Sequence, residues 1–243
     1  MSNLAVSDLE VARFGIPVVR GVSLIAQPGE VSVLLGSNGA GKTTLLEAIS
    51  GVIPAQAGKI AVGTSTLTGK SSSLRARAGL AHVEQGRTVF GDMTVSENLE
   101  VARHHGASLQ AAFDLFPELL PRCHVKAAML SGGEQQMVVI ARALVGQPSV
   151  IMIDEMSTGL APVVFQRLIK AVRALADTGI AVVLVEQFAA LALSIGDRSY
   201  VLRRGEMVYD GACDPLLQNP DKLHQLYLGD LPDKSGTDDE QLS

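Results

Sequence analysis

Tryptophan is absent, and phenylalanine and tyrosine together make up only 4% of the 243 residues. A surface that stacks single-stranded bases needs more rings than this. Basic residues are not gathered into a stripe either, and 20 lysines and arginines face 25 acidic residues for a net charge of −5. A nucleic-acid track is therefore not expected. No apolar run approaches the ~20 residues that span a bilayer. The N-terminus lacks a basic start followed by an apolar stretch, so no secretory signal is expected. The two cysteines, Cys123 and Cys213, stand alone without metal-ligand spacing. They read as reduced structural thiols of a cytosolic protein.

At 47% hydrophobic and 19% charged, the chain can bury a core for one large domain, or for a core with a subdomain. Of the net charge, −4 lies in the tail 230–243, where Asp230, Asp233, Asp238, Asp239 and Glu240 outnumber Lys234. That tail has little apolar content and is expected to be mobile.

The strongest local pattern is Gly36-Ser37-Asn38-Gly39-Ala40-Gly41-Lys42-Thr43-Thr44, between an apolar run, Val31 to Leu35, and a helical pattern, Leu45 to Ile49. Strand, glycine-rich loop and helix in this order, with G-x-x-x-x-G-K-T spacing, form a phosphate-binding loop. Gly36, Gly39 and Gly41 lack a Cβ, so the backbone can turn left-handed and bring N–H groups against phosphate oxygens. The helix N-terminus adds to that anion site. Lys42 is expected to reach the β- and γ-phosphates, and the Thr43 hydroxyl to ligate Mg²⁺.

Elsewhere the pattern alternates strands and helices, which predicts an α/β fold with a mostly parallel central sheet. Residues Asn3 to Ala26 read as short strands turning at Gly15-Ile16-Pro17, an N-terminal β subdomain. Phe14, just upstream of the loop, either stacks on a nucleotide base or packs at the turn edge. Thr94 with Glu97, and Ser131 with Glu134, are capping boxes that open helices. No strand is evident between Gln85 and Ser131, so approximately 86–146 reads as an α-helical insertion. Val150 to Ile153 and Ile180 to Val185 are apolar strands that end in Asp154-Glu155 and Glu186-Gln187. Ligands bind beyond the carboxyl ends of such strands, so these pairs are expected to converge on the loop. An apolar strand ending in Asp-Glu is the Walker B pattern. Asp154 would hold Mg²⁺, directly or through water, and Glu155 would polarise the attacking water.

With Leu130-Ser131-Gly132-Gly133-Glu134-Gln135-Gln136 added, the chain resembles the ABC-type ATPases over residues 1–229. The resemblance implies an ATP- and Mg²⁺-dependent ATPase with a P-loop fold. It implies that Ser131, Gly132 and Gly133 face the γ-phosphate bound on a second subunit. It also makes Phe14 the adenine-stacking aromatic, Gln85 a glutamine at the metal or the water, and Gln187 the residue at a position usually held by histidine. Ala161 replaces a common aspartate. Gln85-Gly86-Arg87, Gly159-Leu160-Ala161-Pro162, Val185-Glu186-Gln187 and Tyr227-Leu228-Gly229-Asp230 resemble the second ATPase subunit of branched-chain amino-acid importers. Met156 and Glu84 depart from that subunit, each replacing a proline. The implied partners are permease membrane subunits, a second ATPase subunit (as heterodimer or homodimer) and, indirectly, a periplasmic or extracellular binding protein. The implied location is the inner face of the cell membrane, peripheral and cytoplasmic. A urea or amide importer, a non-transport ABC ATPase and an ATP-gated structural subunit are the alternatives.

Overall fold

The computed structural model describes residues 2–104 and 106–229. The chain opens with β1 (Leu4–Arg13) and β2 (Ile16–Ala26), antiparallel about a two-residue turn at Phe14-Gly15. Both turn residues have positive φ, 52° and 80°, which suits the twist of a tight hairpin. Short strands were expected here, but these run to 10 and 11 residues. Register shifts between Val6 and Ala12 absorb the irregular alternation without breaking the pairing.

β3 (Val31–Leu35) is buried throughout and feeds α1 (Lys42–Ser50), which stops at Gly51 in the left-handed conformation. β4 (Ala57–Val62), β5 (Ser65–Thr66), α2 (Ser72–Arg77) and β6 (Leu80–Val83) follow. Next comes a helical stretch: α3 (Val95–Ala102), α4 (Gln110–Leu115), two 3-10 segments at Pro117–Arg122 and Ala127–Met129, and α5 (Gly132–Val145). Both capping boxes are formed, each with its two reciprocal hydrogen bonds. Pro117 ends α4, since it cannot donate to the turn before it. Among the described residues of this stretch the β-pairing found is one isolated bridge, Thr94 to Lys126.

The chain then returns to the sheet with β7 (Val150–Asp154), α6 (Pro162–Asp177) and β8 (Ala181–Val185). It closes with α7 (Ala189–Leu193), β9 (Arg198–Arg203), β10 (Glu206–Ala212), α8 (Asp214–Leu217) and α9 (Pro220–Leu228). Pro162 takes the first turn of α6, where its missing N–H costs nothing. β5, α7 and α8 had no counterpart in the sequence reading, because two to five residues are too few to display a period. The acidic tail 230–243 lies outside the described residues.

The strands form two sheets, an antiparallel β2-β1-β4-β5 and a six-stranded β10-β9-β3-β8-β7-β6. The larger is parallel except for the β9–β10 hairpin. Its middle strands are apolar at almost every position because both faces are covered. Ile151, Ile153, Val182 and Leu184 face the cluster that includes α5 and α6. Val150, Met152, Val183 and Val185 face the second cluster, which holds α1 and the antiparallel sheet. β3, β8 and β7 are neighbours, so their carboxyl ends, carrying the glycine loop, Glu186-Gln187 and Asp154-Glu155, emerge side by side.

Candidate active site

The glycine loop leaves β3 and wraps onto the start of α1. Gly36, Gly39 and Gly41 have φ of 155°, 78° and 105°. Gly41, the N-cap of α1, offers no side-chain cap, and the first turn carries no acidic residue. The free amides of that turn, which includes Thr43 and Thr44, are therefore open to an anion. Ala40 anchors the loop from below: its N–H donates to the Ser37 carbonyl at 3.1 Å, and its carbonyl accepts from Gly205 N–H at 2.9 Å. Lys42 is 5% exposed. Its Nζ donates to the carbonyls of Gly36 at 2.8 Å and Ser37 at 3.3 Å, so the ammonium is held along the loop rather than in solvent.

Opposite the loop, Glu155 gathers polar groups from three elements. Its Oε1 lies 3.7 Å from Lys42 Nζ. Its Oε2 accepts from Gln85 Nε2 at 2.9 Å and from Gln187 Nε2 at 2.8 Å. The residue itself sits at φ 46°, in the left-handed region that costs a non-glycine residue about 1–3 kcal/mol. Asn38, Gly39, Gly41, Lys42, Thr43, Thr44, Gln85, Glu155 and Gln187 line one cleft of about 420 Å³, together with Arg13 and Val18.

Asp154 is 1% exposed, and among the described residues neither carboxylate oxygen has a partner at hydrogen-bond geometry. Burial raises its pKa, while the nearby Thr43 hydroxyl and Lys42 oppose the shift and Glu155 adds to it. A buried carboxylate without a partner is costly unless a cation or water completes it. Its two free oxygens beside Thr43 therefore fit a divalent cation. No cluster of three or more His, Cys, Asp or Glu side chains exists among the described residues to hold a metal alone. This donor set suits Mg²⁺, which keeps waters and takes most other ligands from substrate phosphates.

Phe14 is fully exposed at the tip of the β1–β2 hairpin, which excludes packing at the turn edge and leaves the ring free for a ligand. Arg13, beside it, was not singled out from the sequence, although a cation next to an aromatic upstream of a phosphate loop is a usable signal. Its Nε donates to Thr44 Oγ1 at 2.9 Å, and its guanidinium pairs with Glu47 on α1.

The cleft lining does not include Ser131, Gly132 or Gly133. Ser131 caps α5, its hydroxyl accepting from Glu134 N–H at 3.3 Å while Glu134 Oε2 accepts from Ser131 N–H at 2.8 Å. A Cβ on Gly132 would strike the Arg87 guanidinium at 2.4 Å, and one on Gly133 would strike Val164 Cγ1 at 2.4 Å. The Arg87 tip is the flexible end of its side chain and can shift, so packing within this chain favours a small residue at Gly133, against Val164, more than at Gly132.

Residues 19–158 match the family model described as ABC transporter. The chain belongs to the ABC transporter family. It is 39% identical over 220 residues to BraG of Pseudomonas aeruginosa, a high-affinity branched-chain amino acid transport ATP-binding protein, covering 88% of this chain and 94% of that relative. It is 31% identical over 238 residues to LptB of Escherichia coli K12, the ATP-binding protein of a lipopolysaccharide export system, covering 95% and 98%. A nucleotide-free ATP-binding cassette from an ABC transporter superposes with a TM-score of 0.82 at 26% identity, covering 95% of this chain and 100% of that one. As an ABC ATPase, the chain is an ATP-hydrolysing subunit of a transporter. No helix of the described residues is long and apolar enough to cross a membrane.

In this ABC ATPase, Arg13 lines the mouth of the cleft with its guanidinium paired to Glu47, and it is expected to contact the nucleotide. Arg13→Gln is expected to weaken ATP binding by up to about fivefold, because a half-exposed charged contact is worth ~1 kcal/mol or less. Its kcat should stay near wild type. Titration with a fluorescent ATP analogue checks the first expectation and steady-state phosphate release the second.

Proposed function

We propose that this ABC ATPase powers an importer for branched-chain or related amino acids, bound at the cytoplasmic face of permease subunits. The observation that carries the substrate class is the 39% identity to BraG over nearly the full length of both chains. LivF of Archaeoglobus fulgidus, described as a probable branched-chain amino acid transport ATP-binding protein, supports it at 34% identity.

The site residues take these roles. Phe14 stacks on the adenine. The amides of Gly36 to Thr44 and the Lys42 ammonium hold the β- and γ-phosphates. Thr43 and Asp154 hold Mg²⁺, with Gln85 as a further ligand or its water contact. Held there, Mg²⁺ would supply electrostatic stabilisation of the charge that develops on the transferring phosphate. Glu155 accepts the proton of the attacking water, and Gln187 donates a hydrogen bond to a γ-phosphate oxygen. Gln187 has no proton to lose near neutrality, so it senses the phosphate by bonding alone. Ser131, Gly132 and Gly133 cover the γ-phosphate of a second ATPase subunit, identical or related. A single chain then carries two half-sites. The cassette spans residues 1–229, and its helical part, approximately 86–146, carries the motion at Gln85 to the permeases. A binding protein outside the membrane would deliver the substrate to them.

The similarity to LptB favours an exporter as the second reading. Co-expression with candidate permease pairs, followed by reconstitution in proteoliposomes, separates the two. The expected result is ATP-dependent accumulation of labelled leucine or valine from the side opposite the ATPase. ATPase activity that responds to a lipid substrate, without amino-acid uptake, overturns the importer reading.

A further inference from the structure

Glu186 is a buried carboxylate to which the hydrolytic scheme gives no task. It is 0% exposed, at the carboxyl end of β8. Its Oε2 accepts from the Ser157 hydroxyl at 2.6 Å, and its Oε1 has no partner among the described residues. Ser157 is itself buried, at 5% exposure, and begins the tight turn closed by Leu160 N–H on the Ser157 carbonyl at 3.1 Å.

The contacts on either side of this pair follow a pattern. Val185 accepts the Glu155 N–H at 3.0 Å. Glu186 holds Ser157. Gln187 donates to the Glu155 carboxylate. The Phe188 ring lies 5.7 Å from that of Phe165 on α6. Four successive residues of the β8 end thus grip the segment from Glu155 to Phe165. Within that segment Glu155 sits at φ 46°, a conformation that persists only where surrounding contacts over-determine it. One neighbouring contact comes from the Val185 carbonyl. The next, two residues on, is the Glu186–Ser157 bond, short and shielded from water.

We infer that Glu186 is a positioning residue for hydrolysis, which through Ser157 holds the backbone that aims the Glu155 carboxylate at the phosphate loop. The inference rests on the reading of Glu155 as the base. A buried carboxyl with one oxygen left unpartnered among the described residues is a poor choice for stability alone, and its place one residue from two Glu155 contacts gives it a use. Burial first, with the charge of Glu155, pushes Glu186 up to about 7, against the Ser157 hydroxyl and the facing amides of Gln187 and Met156. Glu155 is the ionisable group acting on it, with Lys42 beyond Glu155.

The test compares Ser157→Ala, Ser157→Thr, Glu186→Gln and Glu155→Gln in the purified full chain, alone or in its transporter complex if only that hydrolyses ATP. Ser157→Ala is expected to lower kcat about tenfold with the Kd for ATP unchanged within twofold, while Ser157→Thr, which keeps the hydroxyl, restores at least half the rate. Glu186→Gln keeps an acceptor for Ser157 and should retain most of kcat. It also supplies a readout of the ionisation. Glu186 in the folded protein holds a proton that the unfolded chain loses above about 4.5. Wild-type stability therefore falls as pH rises from about 4.5 to about 7, and Glu186→Gln should lack that part of the slope in thermal melts. Wild-type kcat in Ser157→Ala, or equal slowing by alanine and threonine, overturns the inference. Rapid hydrolysis by Glu155→Gln instead removes the base reading beneath it, so the two failures are distinguishable.

Discussion

Glu155→Gln is expected to bind ATP normally and to hydrolyse it at least a hundredfold more slowly. The substitution keeps the shape of the side chain and removes its ability to accept a proton from water, a contribution commonly worth 10²–10⁴ in rate. The phosphate loop is left alone: Lys42 still donates to the Gly36 and Ser37 carbonyls, and the amides of α1 stay open. Binding and chemistry should therefore separate. Equilibrium ATP binding and single-turnover phosphate release, measured on the same preparation, decide the matter. Hydrolysis at the wild-type rate would show that proton acceptance lies elsewhere.

The second large effect is expected from Gly36→Ala. A Cβ there would lie 2.3 Å from the Leu202 carbonyl oxygen, 3.3 Å from its carbon and 3.1 Å from Ala40 Cβ, with φ at 155°. Leu202 belongs to β9, which is paired with β3, so the clash sets backbone against backbone and no side chain can swing away. Either the loop lifts or the β3–β9 pairing opens. We expect a loss of about 2–4 kcal/mol in stability and at least tenfold weaker ATP binding. Gly39→Ala is the control, since nothing lies within 4 Å of its added Cβ. It should cost about 1–2 kcal/mol, the strain of its left-handed φ. Thermal melts with and without nucleotide check both variants. Wild-type ATP affinity in Gly36→Ala would mean that the loop tolerates a geometry other than the one described.

Much of this was legible because the signals are local. The spacing of Gly36, Gly41 and Lys42 specifies a tight glycine-rich loop between strand and helix, and the glycines adopt positive φ there. Thr94-x-x-Glu97 and Ser131-x-x-Glu134 are satisfied within four residues, and both helices begin where those boxes stand. Arg13 was missed because its meaning depends on Thr44 and Glu47, about thirty residues away. Glu186 was read as one of a polar pair at a strand end. Its burial, and its bond to Ser157 across 29 residues, could not be seen from β8 alone. The lengths of β1 and β2 were underestimated because bulges disturb the two-residue alternation on which strand reading depends.

The sequence by itself determined the nucleotide chemistry and the family, since loop, acidic pair and signature are short motifs whose geometry is set by neighbouring residues. The sequence also anticipated that the Asp154-Glu155 and Glu186-Gln187 strand ends converge on the loop, while tertiary structure alone decided the individual contacts among them. The order β3-β8-β7 puts Lys42, Gln187 and Glu155 on one cleft, and Gln85 reaches it from the end of β6. The same packing leaves Ser131 to Gly133 outside that cleft and buries Asp154 with no hydrogen-bond partner among the described residues. The physical reason is that strand order, burial and desolvation arise from contacts between residues far apart in the chain, to which local spacing carries no information.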